Sequence, residues 1–155
     1  PEQDIYMIKN ASPLHDVGKV AIPDSILHKP GKLDAQEWAI MQKHVEYGVD
    51  ILSRSKRSLI IKAKEIAGSH HEKWDGSGYP NQLAGEGIPI SGRITALADV
   101  FDALGSKRSY KDAWPEETIK QEIVAQKGKH FDPMLVDLML AHWDDFITIR
   151  EQFPD

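Results

Sequence analysis

The chain has 155 residues, no cysteine, a formal net charge of −5, 41% hydrophobic residues and 28% charged residues. These values fit one ordinary globular domain. They exclude disulfides and thiolate ligands and argue against a general nucleic-acid binder, DNA included. The sequence has no apolar run of about 18 residues and no leader with a cleavage site, so neither a transmembrane helix nor a signal peptide is expected.

In chain order the pattern is all-helical. A first helix is expected from about Gln3 to His15, disturbed at Pro13, which removes a backbone donor. A loop punctuated by Gly18, Pro23, Pro30 and Gly31 follows. Asp34 and Glu37 have capping-box spacing, and Trp38, Met41, Val45, Gly48 and Leu52 recur at helical intervals behind them. After a polar break at Ser53 to Arg57, a helix from Ser58 carries Leu59, Ala63, Ile66 and Ala67 on one face and ends at His70 and His71. Lys73 to Pro89 is a long loop, and loops of that length in compact domains are usually functional or disordered. Ser91 opens a helix through Ile94, Leu97, Ala98, Phe101 and Leu104; Pro115 suits the first turn of the next, ending near Gly128. Asp132 and Pro133 open a final helix through Leu135, Leu138, Met139 and His142. No strand pattern persists, and neither an internal repeat nor a low-complexity segment is present. The chain opens on Pro1 and enters apolar helical text at once, with Ile5, Met7 and Ile8, so it is expected to be an excised piece of a longer protein.

Polar residues then stand where helical packing alone would not ask for them. His15 and Asp16 end the first helix, His44 lies on an apolar face, His70 continues an apolar stripe into His71, and Asp99 sits inside an apolar helix with Asp102 one turn on. Taken singly, His44 reads as a core histidine bonded to a backbone carbonyl, and Asp99 as a surface residue if the helix phase is shifted. Taken together, an unpaired carboxylate in a core costs several kcal/mol, and a cation offsets that cost for the whole group. Imidazole with carboxylate suits Fe, Mn, Co, Ni or Zn better than Mg or Ca. Four His and two Asp exceed what one metal needs, and a metal pair can clamp a phosphate and acidify water. His28 and His142 receive no role.

Leu14-His15-Asp16-Val17-Gly18-Lys19 resembles the signature of the HD superfamily of metal-dependent phosphohydrolases. His70-His71-Glu72-Lys73-Trp74-Asp75-Gly76-Ser77-Gly78-Tyr79-Pro80 resembles the extended motif of its HD-GYP subfamily, and Ala98-Asp99-Val100-Phe101-Asp102-Ala103-Leu104 its downstream metal-binding helix. The resemblance runs from Ala11 to about Val136 and departs from the family at Gly105 and Ser109. It implies an all-α, HD-domain-like helical bundle with a long GYP loop, a single domain over 1–155. It also implies a centre of two or three divalent transition metal ions, Fe or Mn first, with Ni, Co or Zn as alternatives. By motif match the ligands are His15, Asp16, His44, His70, His71 and Asp99. His15, Asp16 and Lys19 are the catalytic set; Lys19, Tyr79, Arg108 and Lys111 bind substrate. Without the family, Arg108 and Lys111 read as a solvated charge cluster.

The implied activity is metal-dependent hydrolysis of cyclic di-GMP to linear pGpG, and on to GMP if a second step occurs, in bacterial second-messenger signalling. Two alternatives stand beside it: an HD phosphohydrolase acting on another nucleotide, and a non-catalytic signalling module that binds nucleotide or a partner. Implied partners are a diguanylate cyclase domain at the GYP loop, an upstream regulatory domain and a second copy of the chain. The domain is expected in the cytoplasm, with membrane attachment only through a preceding region. The family carries a further Glu and His on an earlier helix. A chain without them is expected to bind fewer metals and to be weakly active or inactive.

Overall fold

The structure, a computed structural model, describes residues 2–106 and 113–153. Helix α1 (Glu2–Ala11) stops four residues before His15, because Pro13 starts a separate 3₁₀ turn at Ser12–Leu14. The expected loop after Asp16 is also more ordered than its prolines and glycines suggest. It holds a 3₁₀ turn at Val17–Ala21 and a short helix α2 (Asp24–Leu27).

The expected helix behind Asp34 divides in two, α3 (Ala35–Gln42) and α4 (His44–Leu52), at Lys43. Its capping box forms: the Asp34 carboxylate accepts from the Glu37 N–H at 2.8 Å, and the Glu37 carboxylate accepts from the Asp34 N–H at 3.0 Å. The division matters for Trp38. Regular spacing put it on the core face with Val45 and Leu52, yet it is 47% exposed while those two are buried.

Helix α5 (Ser58–Ser69) is the axis of one half of the molecule, packed against α1, α4 and α6 (Ile90–Gly105). Ala11, Leu52, Ala63, Ile66 and Ala67 form a small core there. The second half is α6 with α7 (Glu116–Ala125), α8 (Pro133–Ala141) and α9 (Trp143–Gln152), closed over Leu97, Phe101, Ile119, Ile123, Phe131 and Trp143. The final helix expected through His142 therefore turns there and continues as α9, whose first residue, Trp143, is buried. The Asp132 cap forms as expected, accepting from the Met134 N–H at 2.9 Å. Its other oxygen receives Arg93 at 2.7 Å, tying the start of α6 to the start of α8. Among the described residues there is no strand and no helix long and apolar enough to cross a membrane.

Candidate metal centre

The turn that carries His15 and Asp16 lies directly on α4. A Cβ added at Gly18 would overlap the carbonyl oxygen of His44, so only glycine lets the two segments approach this closely. That approach brings Asp16 and His44 together. One oxygen of Asp16 lies 3.4 Å from Nε2 of both His44 and His70; the other lies 3.1 Å from His15 Nε2 and 3.3 Å from the Lys19 ammonium. Asp99, carried in on α6, stands 3.4 Å from His15 Nε2. His71 Nε2 is 3.2 Å from His44 Nε2. All six residues flagged in the sequence thus meet. Asp99 is not sealed in a core, since its side chain is 39% exposed beside a 260 Å³ cleft under α1.

The histidines are oriented by their own helices. His15, His44 and His70 each place Nδ1 against a backbone carbonyl three or four residues back: Ser12 at 2.6 Å, Met41 at 2.7 Å, and Ile66 at 3.1 Å. A carbonyl only accepts, so each Nδ1 donates and each Nε2 is turned toward the cluster. This is the arrangement in which protein ligands commonly present imidazole to a metal. The donor set then fits a cation by its own chemistry. Buried His15 Nε2, His70 Nε2 and Asp16 Oδ1 have no hydrogen-bond partner, although buried polar atoms rarely go without one. Ligand atoms fall into two groups, each within 4.8 Å: Asp16 with His44, His70 and His71, and Asp16 with His15 and Asp99. Asp16 belongs to both.

Among the protein groups alone the charges sort sharply. Burial disfavours charge on His15, but the neighbouring carboxylates of Asp16 and Asp99 outweigh it and push its pKa up to about 10. Burial opposes ionisation of Asp16 too, yet His15, His44 and His70 hold it far below the ordinary range; Asp99 is lowered the same way by His15. Burial, then His70 and His44, push His71 down to about 3. Tyr79 is raised by burial and by the charges of Asp16 and Asp99, so it stays a neutral phenol.

Tyr79 lies flat on His71, ring centroids 4.9 Å apart and planes within 13°. The long loop that holds it is tied down rather than loose. The Tyr79 N–H donates to the His71 carbonyl at 3.2 Å, and Trp74 and Asp75 donate to His130 and Lys129. An added Cβ at Gly78 would overlap the backbone of His71. Glu72, inside the motif at residues 70–80, has a part that the motif resemblance does not assign. Its carboxylate is 1% exposed and accepts the N–H groups of Asn81 at 2.9 Å and Leu83 at 3.0 Å, clamping the loop to the end of α5. The available signal was an acidic residue placed directly after two inward-facing histidines. Arg108 and Lys111 lie outside the described residues. His28 and His142 are mostly exposed, and each pairs with an aspartate outside the cluster, Asp24 and Asp145.

Comparison with known proteins gives a consistent set. The family model described as "HD domain" matches residues 2–135. The 3′3′-cGAMP-specific phosphodiesterase 2 of Vibrio cholerae is 76% identical over 154 residues, 99% of this chain and 30% of that protein. A cyclic di-GMP phosphodiesterase of the same organism is 50% identical over 97% of this chain and 32% of that protein. The cyclic di-GMP phosphodiesterase response regulator RpfG of Xanthomonas campestris is 50% identical over 98% of this chain and 40% of that protein. The chain thus spans 30 to 40% of the length of these curated relatives. A crystal structure of a cyclic GMP-AMP specific phosphodiesterase from V. cholerae superposes with TM-score 0.66 at 23% identity, over 97% of this chain and 41% of that one. That likeness establishes the fold.

Proposed function

The chain belongs to the HD domain family, and from that premise we propose that it is the catalytic part of a metal-dependent phosphodiesterase that opens cyclic dinucleotides. The observation that carries this reading is the convergence of His15, Asp16, His44, His70, His71 and Asp99, with buried polar atoms that lack a hydrogen-bond partner turned inward. Asp16, His44, His70 and His71 would hold one divalent ion, and His15, Asp16 and Asp99 a second, with Asp16 shared. The mixed nitrogen and oxygen donors suit Fe, Mn, Co, Ni or Zn, and the family resemblance puts Fe or Mn first. When bound, such ions supply Lewis-acid polarisation of a phosphoryl group and lower the pKa of water.

The side chains then have separate tasks. Lys19, its side chain 42% exposed and its ammonium beside Asp16, meets a phosphate oxygen and stabilises charge developing there. Tyr79, neutral and braced on His71, offers a hydroxyl to the substrate and shields one face of that imidazole from water. Glu72 keeps the loop at the height that makes this possible. Arg108 and Lys111 are assigned to the dinucleotide on motif match alone.

The motif string favours cyclic di-GMP as substrate, with linear pGpG as product. The relative at 76% identity favours 3′3′-cGAMP as the second reading. Anaerobically purified protein carrying this chain, loaded with Mn or Fe, is given both dinucleotides and a linear diester. Hydrolysis of one cyclic dinucleotide at least tenfold faster than of the linear diester is expected. Metal binding without any cyclic dinucleotide hydrolysis would leave the signalling-module alternative standing instead.

A further inference from the structure

Beside the metal cluster, on the far side of His71 and Tyr79, lies a second pocket of about 320 Å³. Trp38 forms one wall. Its ring stands nearly perpendicular to Tyr79, at 86° with centroids 6.1 Å apart. Beyond Gly78, the remaining lining is polar: Gln42, Lys73, Ser77 and His130. None of these four belongs to the metal cluster, and Trp38, 47% exposed on α3, fills no core. An exposed aromatic face with an amide, an ammonium and a hydroxyl around it is the chemistry that receives a nucleobase. The ring stacks, and the polar groups meet the acceptors and donors of the base edge. The position suits it too, because a phosphate at the cluster leaves its sugar and base to be seated within a nucleotide's length.

We propose that this pocket is the seat of one purine base of the substrate, with Trp38 as the stacking platform and Gln42 and Lys73 on the base edge. The inference rests on the phosphate being held at the metal cluster. It explains why the chain exposes a tryptophan there and why the Tyr79 loop is braced so firmly by Glu72.

The test compares GMP with ribose 5-phosphate, which carries the same phosphate and sugar without a base, by calorimetric titration of Mn-loaded protein. GMP is expected to bind at least tenfold more tightly. In Trp38→Ala that advantage should shrink to threefold or less, while Trp38→Phe should keep most of it. Because Trp38 lies outside both hydrophobic cores, a folded Trp38→Ala protein is expected; circular dichroism checks this, and Trp38→Phe serves as the paired control. Equal binding of GMP and ribose 5-phosphate by the wild-type protein overturns the proposal. So does a base preference that survives unchanged in Trp38→Ala. If neither compound binds the metal-loaded protein, the phosphate site itself has failed, and the base seat fails with it.

Discussion

His15 carries the charge balance of the cluster. Its raised pKa, about 10 against an ordinary 6.5, means that it holds a proton at neutral pH when only protein groups surround it. Ligation must displace that proton, so metal affinity should climb about tenfold per pH unit between roughly pH 7 and 9. Titration of chelator-treated protein with Mn at three pH values checks this; a flat profile would mean that metal binding displaces no proton from His15 in this range. The same shifts set the stability of the metal-free protein. A raised His15 contributes stability that is present below about pH 6.5 and lost as pH rises through about 10. The lowered His71 acts the other way, costing stability as pH falls from about 6.5 toward 3. Thermal melts across pH should therefore decline on both sides of neutrality. Asp16 and Asp99 also differ in rank. Asp99 serves one group of ligand atoms and Asp16 both, so Asp99→Ala should lose about one ion per chain by elemental analysis. An unchanged metal content in Asp99→Ala would remove α6 from the centre.

At the scale of elements, the centre depends on one tight crossing and one loop clamp. Gly18→Ala would drive a methyl group into the carbonyl of His44 and part the Asp16 turn from α4. Overpacking of this kind costs on the order of 1–3 kcal/mol. The expected result is a lower melting temperature together with lost metal, whereas retained metal content would show that the crossing can slide. Glu72→Ala removes the acceptor of two backbone donors, at roughly 1–3 kcal/mol for each group left buried. It should release the Tyr79 loop, raising KM while metal content holds. Much of this architecture was legible in residue order. The capping box at Asp34, the α5 stripe ending in His70 and the Asp132 cap all formed where local chemistry placed them. What was not legible depends on contacts distant in sequence. The break at Lys43 turns Trp38 outward, and the buried Trp143 makes a helix of α9, which the polar text after His142 did not announce. The six metal-site candidates were legible because each breaks an apolar pattern. Glu72 was hidden because its partners are the backbone N–H groups of a loop nine and eleven residues away.

For the whole molecule, two bundles share α6, and the polar cluster lies where that helix crosses the α5 side. This leaves the two hydrophobic cores intact while one helix edge supplies Asp99. These relatives are roughly two and a half to just over three times as long as this chain, a ratio that follows from coverage of 30 to 40%. In a protein carrying this chain, the preference between 3′3′-cGAMP and cyclic di-GMP is expected to be at least tenfold, read from kcat/KM for each. Equal values would mean that the protein does not discriminate between the two. The proposed function turns on metal-dependent opening of a cyclic dinucleotide at Asp16. The most direct measurement is chromatographic detection of the linear dinucleotide formed by Mn-loaded protein, wild type beside Asp16→Ala, each with and without chelator. Product is expected from the wild-type protein, with its loss on chelation and none above background from Asp16→Ala. Equal product from wild type and Asp16→Ala, or turnover that survives complete metal removal, would contradict it.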